Sequence, residues 1–178
     1  MSFMSSVDIY PATALDSTLE LQAVLNSAYR DPYTNEIPAD AVDEINEILS
    51  LVPKTEAELA ERYCAIARIS GGATVLGMMS LKNPDDVIRS FAKSDNPIEL
   101  TDAYTLTRRA GIGAALVGHV EQVARERGHT EIVLVSGPRF QPTGWPFWTK
   151  LYGEPVGTAY QYFENTYDGR VWRKSLTD

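Results

Sequence analysis

Cysteine is nearly missing from this chain. Cys64 stands alone, so no disulfide forms within it, and together with His119 and His129, the two histidines, it is too small a set for a Cys/His zinc cluster. A reducing compartment fits that usage, and no metal is expected. Long apolar runs are missing too: no segment approaches the roughly 18 apolar residues of a membrane span. The opening MSFMSSVDIY lacks the basic and then apolar pattern of a secretory leader. Positive charge is scarce, 16 Lys and Arg against 24 Asp and Glu, and the resulting −8 repels nucleic acid and anionic lipid while mildly favouring a cationic or neutral substrate. The expectation is a cytoplasmic protein that engages neither nucleic acid nor membrane. The 12 Gly and 10 Pro form no period or tract, and no repeat or interdomain linker is visible, so fibre and disorder are excluded. What is present is 178 residues, 44% hydrophobic and 22% charged, the size and composition of one globular domain covering 1–178.

The apolar spacing then divides the chain. Residues 7–10, VDIY, read as a strand, and Asp16 or Ser17 opens a helix, since Ser17 with Glu20 has the spacing of a capping box. Leu21, Val24, Leu25, Ala28 and Tyr29 recur on the helical period until Asp31-Pro32 stops it. A second amphipathic helix carries Val42, Ile45, Ile48, Leu49 and Val52, and Thr55 with Glu58 caps a short third one. The period next changes to that of strands: YCAIARI at 63–69 and TVLGMMSL at 74–81, separated by Ser70-Gly71-Gly72, predict an antiparallel hairpin. Residues 82–98 are mostly polar with two Asn-Pro steps, and predict a surface connection with a helical turn near Val87 and Phe91, free to act as a lid or an interface. A strand over 99–106, a helix over 114–127 ended by Gly128 and a buried strand over 131–137 follow. A short aromatic helix over 142–152 closes at Gly153, and strands near 156–163 and 170–175, turning at Asp168-Gly169, finish the chain.

The chemistry lies in the order strand, Arg108-x-x-Gly111-x-Gly113, helix. Glycines at these positions let backbone turn tightly and approach a ligand, and the unpaired N–H groups at the helix start favour an anion such as pyrophosphate. A ligand-free strand-to-helix turn explains the glycines alone as well. A dinucleotide fingerprint would need glycine where Leu116 stands, and an early parallel βαβ unit where a hairpin precedes the loop. A nucleotide P-loop fails as well, since no Gly-x-x-x-x-Gly-Lys-Ser/Thr occurs.

With RRAGIG, the helix AALVGHVEQVARERG and the strand TEIVLVSG, the chain resembles the GNAT superfamily of acyl-CoA-dependent N-acyltransferases, whose loop pattern is Arg/Gln-x-x-Gly-x-Gly/Ala. The opening VDIYPATALDSTLELQAVLNSAYR and the 63–81 hairpin are similar to the start of that fold, and Gln141-x-x-Gly144-x-x-Phe147-Trp148-x-Lys150-Leu151 is similar to the family's Asn-x-x-Ala-x-x-Phe-Tyr-x-Lys-Leu segment. The resemblance covers nearly the whole chain. It implies an α/β single domain with a mixed, mostly antiparallel sheet flanked by helices, splayed between its fourth and fifth strands to admit acetyl-CoA as co-substrate. It implies N-acetyltransfer to a primary amine whose identity it does not specify, and it admits a homodimer. By the same resemblance Ala103, Tyr104, Thr105 and Leu106 run beside the pantetheine arm, and Arg108, Arg109, Ala110, Gly111, Ile112, Gly113 and Ala114 hold the pyrophosphate, with a backbone N–H polarising the thioester.

One departure matters. The family's usual acid is a tyrosine where this chain has Trp148, and an indole has no dissociable proton at useful pH. Tyr152, four residues on, is the candidate acid if the helix persists; packing at the helix end is the competing reading. Asp102 and Glu99, on the strand entering the loop, are the candidate bases, against the alternative of a solvated strand face. A catalytically silent acyl-CoA-binding or regulatory module stays open because of Trp148. His119 borders the apolar stripe of its helix, His129 reads as exposed or capping, and Cys64 as a core thiol. Trp145, Phe147 and Trp148 with Tyr160, Tyr162 and Phe163 either wall an apolar acceptor pocket or pack the core.

Overall fold

Strand-period and helix-period runs become elements where the spacing places them. The computed structural model describes residues 6–13, 18–31, 33–108 and 110–177. In chain order the elements are β1 (Val7–Pro11), α1 (Thr18–Tyr29), α2 (Ala39–Ser50), α3 (Glu56–Glu61), β2 (Tyr63–Ile69), β3 (Val75–Lys82), α4 (Asp86–Arg89), β4 (Pro97–Thr105), α5 (Ile112–Glu126) and β5 (Glu131–Ser136). A 3-10 turn (Pro138–Phe140), α6 (Gly144–Tyr152), β6 (Gly157–Phe163) and β7 (Tyr167–Ser175) complete it. The strands form one sheet in the order β1-β2-β3-β4-β5-β7-β6. β1 with β2, β5 with β7 and β6 with β7 pair antiparallel, and β4 with β5 pairs parallel. This is the mixed, mostly antiparallel α/β sheet flanked by helices that the resemblance implied. By Cα proximity the chain divides into two compact units, Met1–Ser80 with Asp102–Val120, and Leu81–Thr101 with Glu121–Asp178.

In the first unit, α1 buries Leu21, Val24, Leu25 and Tyr29 on one face. The capping positions Asp16 and Ser17 lie outside the described residues. α2 buries Ala41, Ile45 and Ile48, with Val52 beyond its end, whereas Val42 is 45% exposed. The inward line is therefore 41, 45, 48, 52, and Val42, one residue or about 100° of helix off that line, faces out. α3 starts at a complete capping box: Thr55 Oγ1 accepts from the Glu58 N–H at 3.2 Å, and Glu58 Oε2 accepts from the Lys54 and Thr55 N–H groups at 2.7 and 3.2 Å. β2 is buried on both faces, with Cys64, Ala65, Ile66 and Ala67 sealed from solvent.

The second unit departs from expectation twice. The 82–98 connection is not a free surface loop. Asp85 caps α4 by accepting from the Ile88 N–H at 2.9 Å, Ile88 is fully buried, and Phe91 and Ala92 pack on the Ile88–Val133–Ala159–Val171 cluster. The Glu131 carboxylate further accepts from the Lys93 and Ser94 N–H groups at 2.7 and 3.2 Å, so both ends of the connection are pinned. Sequence polarity hid this because two inward side chains suffice to dock a short helix. The second departure is the last turn, which lies at Glu164 and Asn165, both left-handed with φ 53° and 54°, and closes by Thr166 N–H to the Phe163 carbonyl at 3.0 Å. Gly169 instead sits buried within β7, where an added Cβ would collide with Val135 and Phe163. Its glycine serves close packing rather than a bend.

Candidate active site

The parallel ladder of β4 with β5 has three pairs, 97–99 with 131–133. β4 continues to Thr105 without β5, and within that stretch Asp102 adopts φ 51°, a left-handed residue that bends a strand. The strand then delivers Leu106, whose N–H bonds the Leu76 carbonyl at 2.7 Å and whose carbonyl accepts from the Ser27 hydroxyl at 3.3 Å. Arg108 follows, exposed, and Arg109 lies outside the described residues. Gly111, exposed at φ 77°, turns the chain into α5: its carbonyl accepts from the Ala115 N–H at 3.0 Å. The N–H groups of Ile112, Gly113 and Ala114 thus have no intrahelical acceptor, and they lie at the positive end of a 15-residue helix. Ile112 anchors that end in the core, while Ala114 is exposed. These residues fit an anionic diphosphate in charge and donor supply.

Of the three candidates for proton transfer, Asp102 lies in the unit that carries this loop, and Glu99 and Tyr152 lie in the other. Asp102 is engaged by the Arg62 guanidinium, with side-chain exposures of 9% and 18%. Glu99 is buried, its carboxylate 3.4 Å from the Lys82 ammonium. Each carboxylate is therefore already held by a cation. The Tyr152 hydroxyl is sealed from solvent and has no hydrogen-bond partner among the described residues, and its ring lies under the Lys174 ammonium at 5.3 Å. Burial, followed by the nearby Glu121 carboxylate, raises its pKa far above that of an ordinary phenol. Glu121 is itself clamped by Lys174 at 2.8 and 2.9 Å and approached by Arg125 at 3.7 Å.

The aromatic cluster divides by role. Trp148 is buried, edge-on to Phe147 with ring centres 4.8 Å apart and tilted against Tyr152 at 5.7 Å. Tyr162 donates to Asp85 Oδ2 at 2.6 Å and packs on the core. Trp145, stacked under Arg170 at 5.5 Å, instead lines an open groove with Gln141, Tyr160 and Asp168. His119 Nε2 bonds the Tyr63 hydroxyl at 2.6 Å; His129 Nδ1 is buried with no partner among the described residues, and burial lowers the pKa of its ring.

Sequence reasoning missed one arrangement in the loop-bearing unit. The Tyr29 hydroxyl of α1 donates to Glu44 Oε1 of α2 at 2.6 Å and contacts the Tyr104 hydroxyl of β4 at 2.8 Å. In the sequence Tyr29 is one more apolar helix position, and the family resemblance implies Tyr104 only for its place beside the pantetheine arm. Glu44 carried no signal at all, because partners so distant in sequence leave no local spacing to read.

Among the described residues no three His, Cys, Asp or Glu gather as a metal-holding group, and no helix is long and apolar enough to cross a membrane. No family model matches the sequence, and no curated protein matches it. Solved structures do. A GNAT-family acetyltransferase from Staphylococcus aureus Mu50 superposes with a TM-score of 0.64 at 15% identity, covering 97% of this chain and 100% of that one. The PaiA N-acetyltransferase from Thermoplasma acidophilum, in complex with coenzyme A, gives 0.65 at 16% identity over 95% and 99%. Aminoglycoside 6'-acetyltransferase type Ii gives 0.66 at 16% identity over 96% and 98%. The fold is that of the GNAT acetyltransferases.

Proposed function

We propose that this protein transfers an acetyl group from acetyl-CoA to a primary amine. The observation that carries the reading is the passage from β4, which leaves the β5 ladder after residue 99, into the Gly111–Gly113 turn and the first turn of α5, set in a fold whose solved examples include a coenzyme A complex. The amides of Ile112, Gly113 and Ala114 bind the diphosphate, with exposed Arg108 beside them. Residues 103–106, the end of β4 and the residue after it, carry the pantetheine and present a backbone N–H to the thioester carbonyl. The amine nitrogen, once deprotonated, attacks that carbonyl carbon; the C–S bond of the tetrahedral intermediate then breaks, and the CoA thiolate takes up a proton.

Tyr152 is assigned to that last proton. Its raised pKa makes it a weak acid for the purpose, because general acids work best with pKa values near the operating pH. Tyr152→Phe should therefore lower kcat by no more than about tenfold, below the usual range for a well-tuned general acid, and leave acetyl-CoA binding intact. A loss of about a thousandfold would mean that the phenol is retuned when acetyl-CoA binds. A second reading, a silent acyl-CoA-binding module, is favoured by buried Trp148 at the family's acid position.

The deciding experiment is the thermal midpoint with acetyl-CoA, CoA and ATP, followed by CoA release with amines. Ligand at about 100 times its Kd adds about 2.7 kcal/mol, a shift of roughly 5–10 °C for a domain of this size. A shift with both CoA species but not ATP, lost in Gly113→Leu, supports the site; turnover then separates the enzyme from the silent module. No shift at millimolar acetyl-CoA overturns both.

A further inference from the structure

Buried hydroxyls in series are costly unless each is satisfied, and the Tyr104–Tyr29–Glu44 series joins three separate elements of one unit. Tyr29 is 2% exposed, while Tyr104 and Glu44 at the two ends are partly exposed. Its polarity is fixed. Tyr29 has a single proton and spends it on Glu44 at 2.6 Å, so across the 2.8 Å contact Tyr104 donates and Tyr29 accepts. Every O–H thus points from β4 towards α2, ending on a carboxylate. Among the described residues no lysine or arginine forms an ion pair with Glu44, in contrast to Asp102 and Glu99.

We propose that Tyr104 and Tyr29 carry the proton of the acceptor's ammonium group to Glu44, which takes it up. The inference rests on the acetyltransferase reading, which puts the end of β4 beside the thioester. As the N–H bond of the ammonium breaks, its proton joins Tyr104 Oη, the Tyr104 proton passes to Tyr29 Oη, and the Tyr29 proton passes to Glu44 Oε1. The nitrogen keeps the electron pair for attack. Both tyrosines end as phenols, Glu44 ends as a carboxylic acid, and the net charge is unchanged; the hydroxyls turn back once Glu44 gives its proton to water. Neither phenolate ever forms. That agrees with burial, followed by Tyr104 and Glu44, holding the Tyr29 pKa far above the phenol value. Tyr104 is the group that meets the substrate; Tyr29 and Glu44 act through it. The titratable groups around the sink are Asp40, Asp43 and Glu47 on α2, Tyr29 from α1 and Tyr104 from β4, while Arg30 is turned to the Asn35 carbonyl.

The test is kcat/KM for ethanolamine, lysine, spermidine and kanamycin between about pH 6.5 and about 9.5, at saturating acetyl-CoA, in the wild type, Tyr29→Phe and Glu44→Gln. The side-chain amide introduced by Glu44→Gln still offers Tyr29 an acceptor oxygen, so the packing is kept and only the proton sink is removed. Both variants should fall about 100-fold near pH 7. The deficit should then close as pH rises, because below an ammonium pKa of about 10 the free amine increases about tenfold per pH unit and needs no relay. The thermal shift with acetyl-CoA should match the wild type in both. An equal loss at every pH, or no loss, overturns the relay while leaving the acetyltransferase reading intact. No turnover by the wild type with any of the four amines overturns both.

Discussion

Two carboxylates, buried Glu121 in one compact unit and partly exposed Glu44 in the other, are treated oppositely by this fold. Glu121 receives two cations, Lys174 and Arg125, and its neighbourhood is a neutralised clamp tying α5 to β7. Glu44 receives a hydroxyl from a buried tyrosine and no cation among the described residues. A carboxylate held by an ammonium and a guanidinium ties its elements together through charge, whereas one that accepts a single phenol O–H is held by a neutral donor. The difference separates groups that hold the structure from a group placed to change its protonation state.

The largest effect that sharpens this contrast is on stability. Glu121→Ala removes a carboxylate that is 8% exposed and leaves Lys174 without its partner; with Lys174 itself 37% exposed, water repays part of the cost. A loss of about 1–3 kcal/mol is expected by denaturant titration, against under about 1 kcal/mol for Glu44→Gln. A reversed order would show the clamp and the relay to be wrongly distinguished. Next, Glu47→Lys sets an ammonium three residues from Glu44 on the same helix and makes that site resemble the clamp. Turnover at low ionic strength should drop a few-fold and recover in about 0.5 M salt, as a screened surface charge requires.

The smallest effect guards the pH experiments. Burial lowers the His129 pKa from 6.5, so the folded state resists a proton that the unfolded chain accepts. Its contribution to stability is complete above about pH 6.5 and declines as pH falls below that value. The drop in thermal midpoint between about pH 7.5 and about 5.5 should be smaller in His129→Gln than in the wild type, with the pH profile of kcat/KM unchanged between them. A change in that profile would mean that folding rather than proton transfer shapes it.

The sequence disclosed what depends on neighbours along the chain. Helix periods, the Thr55–Glu58 capping box, the 63–81 strand pair and the glycine turn into α5 all follow from spacings of a few residues, and all are present. It misplaced features decided by contact across the fold. The helical turn in the 82–98 segment was legible, but its polar majority gave no sign that Ile88 and Phe91 dock on strands distant in sequence, and Gly169 looked like a turn residue because Val135, which its Cβ would meet, is distant in sequence. For the candidate site, the glycine turn into α5 was legible and the side-chain partners were not: nothing near Asp102 announces Arg62, and nothing near Tyr29 announces Glu44.

Cys64, the chain's lone thiol, is fully buried in β2. The folded protein is therefore silent towards thiol-reactive dyes, and any colour that develops with acetyl-CoA and an amine comes from released CoA. Unfolding exposes one equivalent of thiol per chain, so the same reagent that counts turnovers also counts molecules that have lost their structure. A variant that fails to release CoA can be sorted in one cuvette into inactive or unfolded.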